Sequence, residues 1–356
     1  MKPLQIQGWG MQTALGNAES TLLSLRLGQS GFAEHPRWVG INGERFILAL
    51  SPTCDPVLPV TKRLLHLAEQ ALKDLLNTLP PEIVQQQADD VLPVLLGVSE
   101  QQGVTLDDHK HWSESFGQTL EQAGWLASRT QGTYGGHCIT TYLLEQAATL
   151  LAGDRSPYCL VGVVDSWANP PRLEALDEAG LLHRQNQRGF IPGEAAAFCL
   201  LSLYNEEEIQ NTETNYPLIR QIATDTDPFR VDTEDTPTGH ALTQACRQVL
   251  QTLPEKKQIQ QVYADFNGER WRATEYGLSS MRLAPWLSRI DQFTPLATGI
   301  GDVGAATGLV QVVHAIAAAH KGFHPGQHSL LWQAEADEKR SAMLLKVPQQ
   351  TARLRQ

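Results

Sequence analysis

The chain has little of what marks an exported, membrane-spanning or metal-binding protein. Its five cysteines, at 54, 138, 159, 199 and 246, form no C-x-x-C pair, which removes the common zinc and thiol-redox spacings. Cys159 and Cys199 lie in apolar runs, where a reduced, buried thiol is the usual state. A reducing, cytoplasmic setting is expected. No apolar run approaches the roughly 20 residues a bilayer helix needs, so no membrane span is expected. MKPLQIQGWG lacks the apolar core of a signal peptide. Positive charge is scarce: 28 Lys and Arg face 39 Asp and Glu, a net charge of −11, with no basic cluster. That balance argues against nucleic acid or an anionic membrane as partner. Neither a metal nor an organic cofactor is expected.

What is present supports a large buried core: 356 residues, 42% of them hydrophobic. Leu4–Gly8 alternates as a strand. Asn17 is placed to cap a helix over Ala18–Leu27, which Gly28 ends. Ser30–Val60 reads as loop with a short strand at Arg45–Leu50. Thr61–Leu76 repeats leucine at helical spacing, and Val91–Val98 is a buried strand. Gln101–Gly132, with Trp112 and Trp125, predicts a helical excursion on the surface. Asn205–Asn215 is polar and acidic, a candidate linker. Beyond it come strands at Leu218–Ala223, Gln260–Asp265 and Ala342–Val347. Helices are predicted at Gly239–Leu253, Trp271–Leu283 and Gly308–His320.

The stretch Gly135–Trp167 organises the rest. Two glycines and Cys138 precede a helical run with apolar residues at Ile139, Leu143, Leu144, Ala147, Leu150 and Leu151. Gly153-Asp154 breaks it. Cys159–Val164 then has the pattern of a strand buried on both faces. A helix N-terminus offers free N–H groups and a positive partial charge, which suit a thiolate or an oxyanion.

These residues, with three further stretches, resemble the β-ketoacyl synthases of the thiolase superfamily. Gly153-Asp154 and Val161–Asp165 match the turn and strand end after the family's nucleophile helix. Gly8–Met11 through Gly28–Gly31 resembles its first strand and helix. Arg188–Ala196 resembles its R-x-G-F-x-x-G-E-G-A motif, and Gly301–Gly308 the glycine-alanine turn into its late helix. The resemblance implies an α/β thiolase-like five-layer αβαβα sandwich. Two pseudo-duplicated halves, 1–204 and 216–356, would place two sheets around two central helices. It also implies a dimer made through a sheet edge, with Cys159–Val164 as that edge.

Condensing members of the family use a Cys, two His and usually a Lys. Counting back from Gly153 puts the nucleophile position at Gly136, two residues before Cys138. Asp265–Arg270 puts Asn267 where the first His belongs. The second falls on Ile300 or Asp302. No Lys lies between Arg270 and Lys321, and Trp332–Arg340 has no glycine-rich loop. The expectation is a protein that does not condense. It would act as a scaffold, an adaptor or a chain-length-factor-like subunit, as a homodimer or a heterodimer with a related synthase. An acyl carrier protein or another protein would be its partner. The alternative is an acyltransferase or 3-oxoacyl synthase using Cys138 in a rearranged site.

Catalytic candidates are Cys138, Asn267 and Asp302, each with a structural alternative. Cys138 could be a small residue packed in the first helical turn. His137, about 100° away on a helix, could be a polar cap rather than a displaced base. Asn267 and Asp302 could form an acid/base pair, although a neutral amide carries no proton near pH 7. Glu194 suggests a buried carboxylate tying loops together. His109 and His111, near Asp107-Asp108, suggest a solvated loop rather than a metal site. A third expectation is an adaptor that docks through the Trp112–Trp125 excursion.

Overall fold

Ten residues in which apolar and small positions are interspersed with glutamines, LQIQGWGMQT, form the first strand. The computed structural model describes residues 2–86, 91–99, 106–125, 127–153, 156–184, 188–204, 216–231, 235–253, 259–287 and 293–348. In chain order the first half runs β1 (Leu4–Thr13), β2 (Gly16–Asn17), α1 (Ala18–Arg26), β3 (Phe32–Val39), β4 (Arg45–Ala49), α2 (Val60–Leu76), α3 (Pro81–Gln86) and β5 (Leu92–Val98). It continues with α4 (Leu106–Gln122), β6 (Ala127–Tyr134), α5 (Ile139–Ala152), β7 (Cys159–Ser166), α6 (Pro170–Glu178) and β8 (Glu194–Leu203). The remainder is β9 (Leu218–Thr226), α7 (His240–Leu250), β10 (Gln261–Ala264), α8 (Arg270–Leu283), β11 (Phe293–Thr294), α9 (Ala297–Ile300), α10 (Thr307–His320), β12 (His328–Ala334) and β13 (Lys339–Lys346).

The strands follow the order β11-β10-β12-β13-β9-β1-β8-β7-β5-β6, with β2 folded back on β1. Two five-strand arrays meet where Leu4 and Gln5 of β1 pair with Ile219 and Leu218 of β9. Between the arrays lie α5 and α10. Helix α5 packs on β5, β7 and β8 on one side and on β9 and β13 on the other; α10 touches β1, β8 and β12. Helices α2 and α4 cover the outside of one array, and α7 and α8 the other. That layering is the mixed α/β sandwich the resemblance implies.

Helix α10 is buried from Gly308 to Ala319, so its sequence is apolar all round rather than amphipathic. Helix α2 shows one buried stripe, Leu64, Leu67, Ala68, Ala71 and Leu75. Asn17 caps α1 by accepting the Ser20 N–H at 3.0 Å, and Gly28 follows in the left-handed region at φ 71°. Glu194 is fully buried. It pairs with Arg63 at 2.9 Å and accepts from Ser51 N and from Ser166 Oγ, so it ties three segments together.

Several expectations are corrected. β7 is not an edge: it lies between β5 and β8 with all eight residues buried. The edge is β6, which falls in a stretch read as a helical excursion. Its polar sequence, ASRTQGTY, shows no apolar alternation, and residues 130–134 are half-buried or exposed. Trp112 and Trp125 are buried, 5% and 1% exposed. They join the core beneath α4, where Trp112 and Phe116 stack toward Phe198, and so cannot form a docking surface. His109 and His111 lie on α4, not on a loop; His111 is exposed. Within Ser30–Val60 the strand expected at Arg45–Leu50 is β4, and the loop read before it contains its hairpin partner β3, hidden by Pro36 and by a register shift between Glu34 and Val39. The candidate linker 205–215 lies outside the described residues. Among the described residues no helix is long and apolar enough to cross a membrane.

Candidate functional site

Helix α5 starts poorly by local rules. Cys138 stands at its N-cap without a capping side-chain bond, and its first turn holds no acidic residue. The missing anion comes from Glu335, the residue directly after β12. Its Oε1 accepts the Cys138 N–H at 3.0 Å. A carboxylate at a helix N-terminus stabilises by about 0.3–1 kcal/mol, and by ~2 kcal/mol when partly buried. The other carboxylate oxygen fills the space over Gly136, where a Cβ would lie 2.0 Å from Oε2. Only glycine fits there while Glu335 keeps its place.

A carboxylate also stands at the turn that leads into the second central helix. Asp165, near the end of β7, accepts the Ala305 N–H at 2.9 Å where the chain turns into α10. A Cβ on Gly304 would lie 2.0 Å from Asp165 Oδ2. Each strand that follows a central helix thus ends beside a carboxylate that accepts a backbone N–H at, or in the turn just before, the start of the other central helix.

Cys138 and His137 point apart. The Cys138 thiol is buried against the carbonyls of Gln333, at 3.4 Å, and Lys339, at 3.7 Å. Burial and the nearby Glu335 charge push its pKa well above the ordinary thiol value, so the nucleophilic thiolate is suppressed at neutral pH. His137 directs Nε2 to both Asp302 oxygens at 3.1 Å. It is a buried ion-pair partner rather than a simple cap.

Asp302 gathers further donors. Asn267 Nδ2 reaches its Oδ2 at 2.6 Å, and Gly304 N–H its Oδ1 at 2.7 Å. Asn267 also donates to Glu269 at 3.0 Å, and Glu269 takes Arg272 Nε at 2.8 Å. Arg272 Nη1 reaches Asp265 and, at 2.7 Å, the Ala334 carbonyl. The Arg188–Ala196 loop fixes this group through Gly193 N–H to Asp302 O, 2.7 Å, and Asp302 N–H to Ile191 O, 2.8 Å. Burial raises the Asp302 pKa, but His137, Arg272 and Asn267 overcome it and hold the carboxyl well below the usual range. Burial alone would lower His137; Asp302 outweighs it and raises the ring above an ordinary histidine.

Of the sequence candidates, Asn267 and Asp302 are thus brought into contact, with His137 beside them, and Cys138 stands apart. Ile300, the alternative to Asp302, supplies an apolar wall. The space these groups enclose is about 20 Å³, lined also by Gln311 and Val310, roughly room for one water. Among the described residues no group of His, Cys, Asp and Glu could hold a metal ion. Sequence reasoning missed Glu335, Glu269, Arg272 and Asp265. The uncapped start of α5 after two glycines was a usable signal for Glu335. The other three carry no local pattern.

One histidine behind this site sets an acid limit. His314 on α10 is buried, with Nδ1 3.3 Å from the Tyr263 hydroxyl. Burial, with the charges of His324 and Arg26, lowers its pKa to about 4. The folded value lies below the unfolded one near 6.5, so stability is intact above pH ~6.5 and falls as pH drops toward 4. At ~1.4 kcal/mol per unit the loss reaches about 3 kcal/mol. Guanidinium titrations of His314→Gln should show a flatter pH dependence across that window than the parent; identical slopes would contradict this.

Known proteins bear on both halves of the picture. Residues 224–347 match the family described as type VI lipase adapter protein Tla3, C-terminal. No curated protein matches the chain. Among solved structures, the ishigamide ketosynthase/chain length factor is 16% identical with a TM-score of 0.72, covering 98% of this chain and 99% of that one. A β-ketoacyl synthase from Burkholderia phymatum STM815 gives 14% and 0.73, covering 98% and 100%. AntDE:AntF, a type II PKS acyl-carrier protein in complex with its ketosynthase, gives 13% and 0.76, covering 98% and 100%. At these identities the likeness is one of fold: the chain has the ketosynthase form of the thiolase-like architecture.

Proposed function

We propose that this chain is a ketosynthase-fold protein that does not condense and instead serves as an adaptor or chain-length-factor-like subunit. The observation that carries this reading is the Glu335 carboxylate packed over Gly136, where the resemblance puts a nucleophile. The space beside Asp302 is about 20 Å³, and the cavity of about 580 Å³ that Cys138 borders is lined, among the described residues, by no histidine that could serve as base. The match of residues 224–347 to a lipase adapter family favours a protein partner. In this reading the halves 1–204 and 216–356 form the two structural units, and the location is cytoplasmic, in keeping with five free thiols. The partner in this reading is a second copy, a related synthase, an acyl carrier protein or a lipase.

The competing reading, an acyltransferase using Cys138, needs a thiolate and a base. The raised thiol pKa and the commitment of His137 to Asp302 oppose it. Tagged chain purified from its own host under mild conditions should carry one protein partner in fixed stoichiometry, measured by native mass spectrometry. Recovery of a lone monomer at micromolar concentration would count against the adaptor role.

A further inference from the structure

We propose that two ordered waters are bound inside the chain beside Asp265, as fixed members of the charge network behind the start of α5. The inference does not depend on the adaptor reading. Two buried polar atoms carry it. Gln311 on α10 is 1% exposed. Its Oε1 accepts from Gln333 Nε2 at 2.6 Å, and its Nε2 is buried with no hydrogen-bond partner among the described residues. Glu275 on α8 is also 1% exposed. Its Oε1 accepts from Arg340 Nε at 2.8 Å, and its Oε2 is buried with no partner among the described residues.

Each of these residues lines a small cavity. Gln311 borders the space of about 20 Å³ beside Asp302. Glu275 borders a space of about 10 Å³ that Arg272 also lines. Ala264, the last residue of β10, and Asp265 line both, so the two cavities are neighbours. Spaces of this size hold about one water each, and they fill when the lining offers two or more polar partners. The first offers Asn267, Asp302 and Gln311, and the second Asp265, Arg272 and Glu275. A purely aliphatic lining would stay dry. A buried polar atom left unpaired costs more than the ordering of one water, and an unpaired carboxylate oxygen costs most.

Water suits either orientation of the amides. Ser341 Oγ donates to Gln333 Oε1 at 3.0 Å. If both glutamine amides turn over, Gln333 Nε2 donates to that hydroxyl instead, and Gln311 keeps its bond to Gln333 with the roles reversed. Gln311 then offers a carbonyl oxygen in place of the amide N–H, and water bonds to both. Burial raises the Glu275 pKa. Ionised or protonated, its Oε2 meets a water equally well, as acceptor or as donor.

A high-resolution crystal structure of the full chain tests both sites. It should show one water within hydrogen-bond distance, roughly 2.7–3.2 Å, of the Gln311 amide and another at Glu275 Oε2. Flat density at either place, or a protein group bonded to either atom instead, would overturn the inference. In solution, Val310→Ile adds one methyl to the lining of the first cavity. Displacing a bound water strands the Gln311 amide, so the thermal midpoint should fall. A dry cavity would be filled by the methyl, and the midpoint would rise. Plain overpacking also lowers the midpoint, but by the same amount whatever residue 311 is. In a Gln311→Met background, with no amide to strand, Val310→Ile should therefore lower the midpoint less than in the parent. A rise in the parent, or an equal fall in both backgrounds, would overturn the inference.

Discussion

Asp302→Ala should lower unfolding free energy by about 3–5 kcal/mol, the usual cost of removing one partner from a buried ion pair. The carboxylate is 3% exposed in its side chain and faces the 11% exposed His137. Its loss also strands the Gly304 N–H and leaves the half-buried Asn267 amide with Glu269 as its acceptor. The abandoned buried N–H adds ~1–3 kcal/mol unless water enters. The pH dependence carries a sign. The folded His137 pKa is raised, so the pair contributes fully below the ordinary histidine value near 6.5. That contribution fades as pH rises through the raised value. Denaturant midpoints of parent and Asp302→Ala should therefore draw closer at alkaline pH. A midpoint shift worth less than ~1 kcal/mol at pH 6 would mean the pair does not hold the site together.

The second large effect concerns Gly136. Gly136→Cys puts a nucleophile where the ketosynthase resemblance expects one, but the new Cβ would meet Glu335 Oε2 at 2.0 Å. Either the hairpin between β12 and β13 moves or the helix start does. Overpacking of this kind costs roughly 1–3 kcal/mol, and displacing the cap of α5 adds about 1 kcal/mol. Gly136→Cys with Glu335→Gly should recover most of the packing loss, leaving chiefly the cap. Thermal midpoints of the two variants separate the outcomes. If Gly136→Cys alone melts with the parent, Glu335 does not fill that space in solution.

These two expectations draw on different parts of what the sequence discloses. The layers were legible because periodicity is local: the apolar spacing of α5, the buried stripe of α2 and the run Cys159–Val164 need no partner to be recognised. The motif at Arg188–Ala196 gave Glu194 as a tying carboxylate, and Arg63 emerged only in three dimensions. Strand β12, buried at all seven residues, is not legible in the sequence because His328, Ser329 and Gln333 interrupt its apolar run. The edge β6 was misread for a related reason: an edge strand with a polar sequence has no periodicity to find.

At the site, Asn267 and Asp302 were reachable through the order of motifs. The contact between them, 35 residues apart in sequence, and the inclusion of His137 were not. Nothing local predicts Glu335 reaching across 197 residues to the start of α5. Long-range carboxylate caps leave only a negative trace, a helix that begins without an anion of its own.

The central claim is that the chain's own carboxylate, Glu335, fills the space over Gly136 at the start of α5 and that no acyl chemistry takes place there. Intact-mass spectrometry after incubation with acetyl and octanoyl thioesters, at neutral pH and with malonyl thioester added in a parallel sample, tests it most directly. The account expects the parent mass unchanged and no 3-oxoacyl product. An acyl adduct mapped to Cys138, or a condensation product with release of CO2, would contradict it.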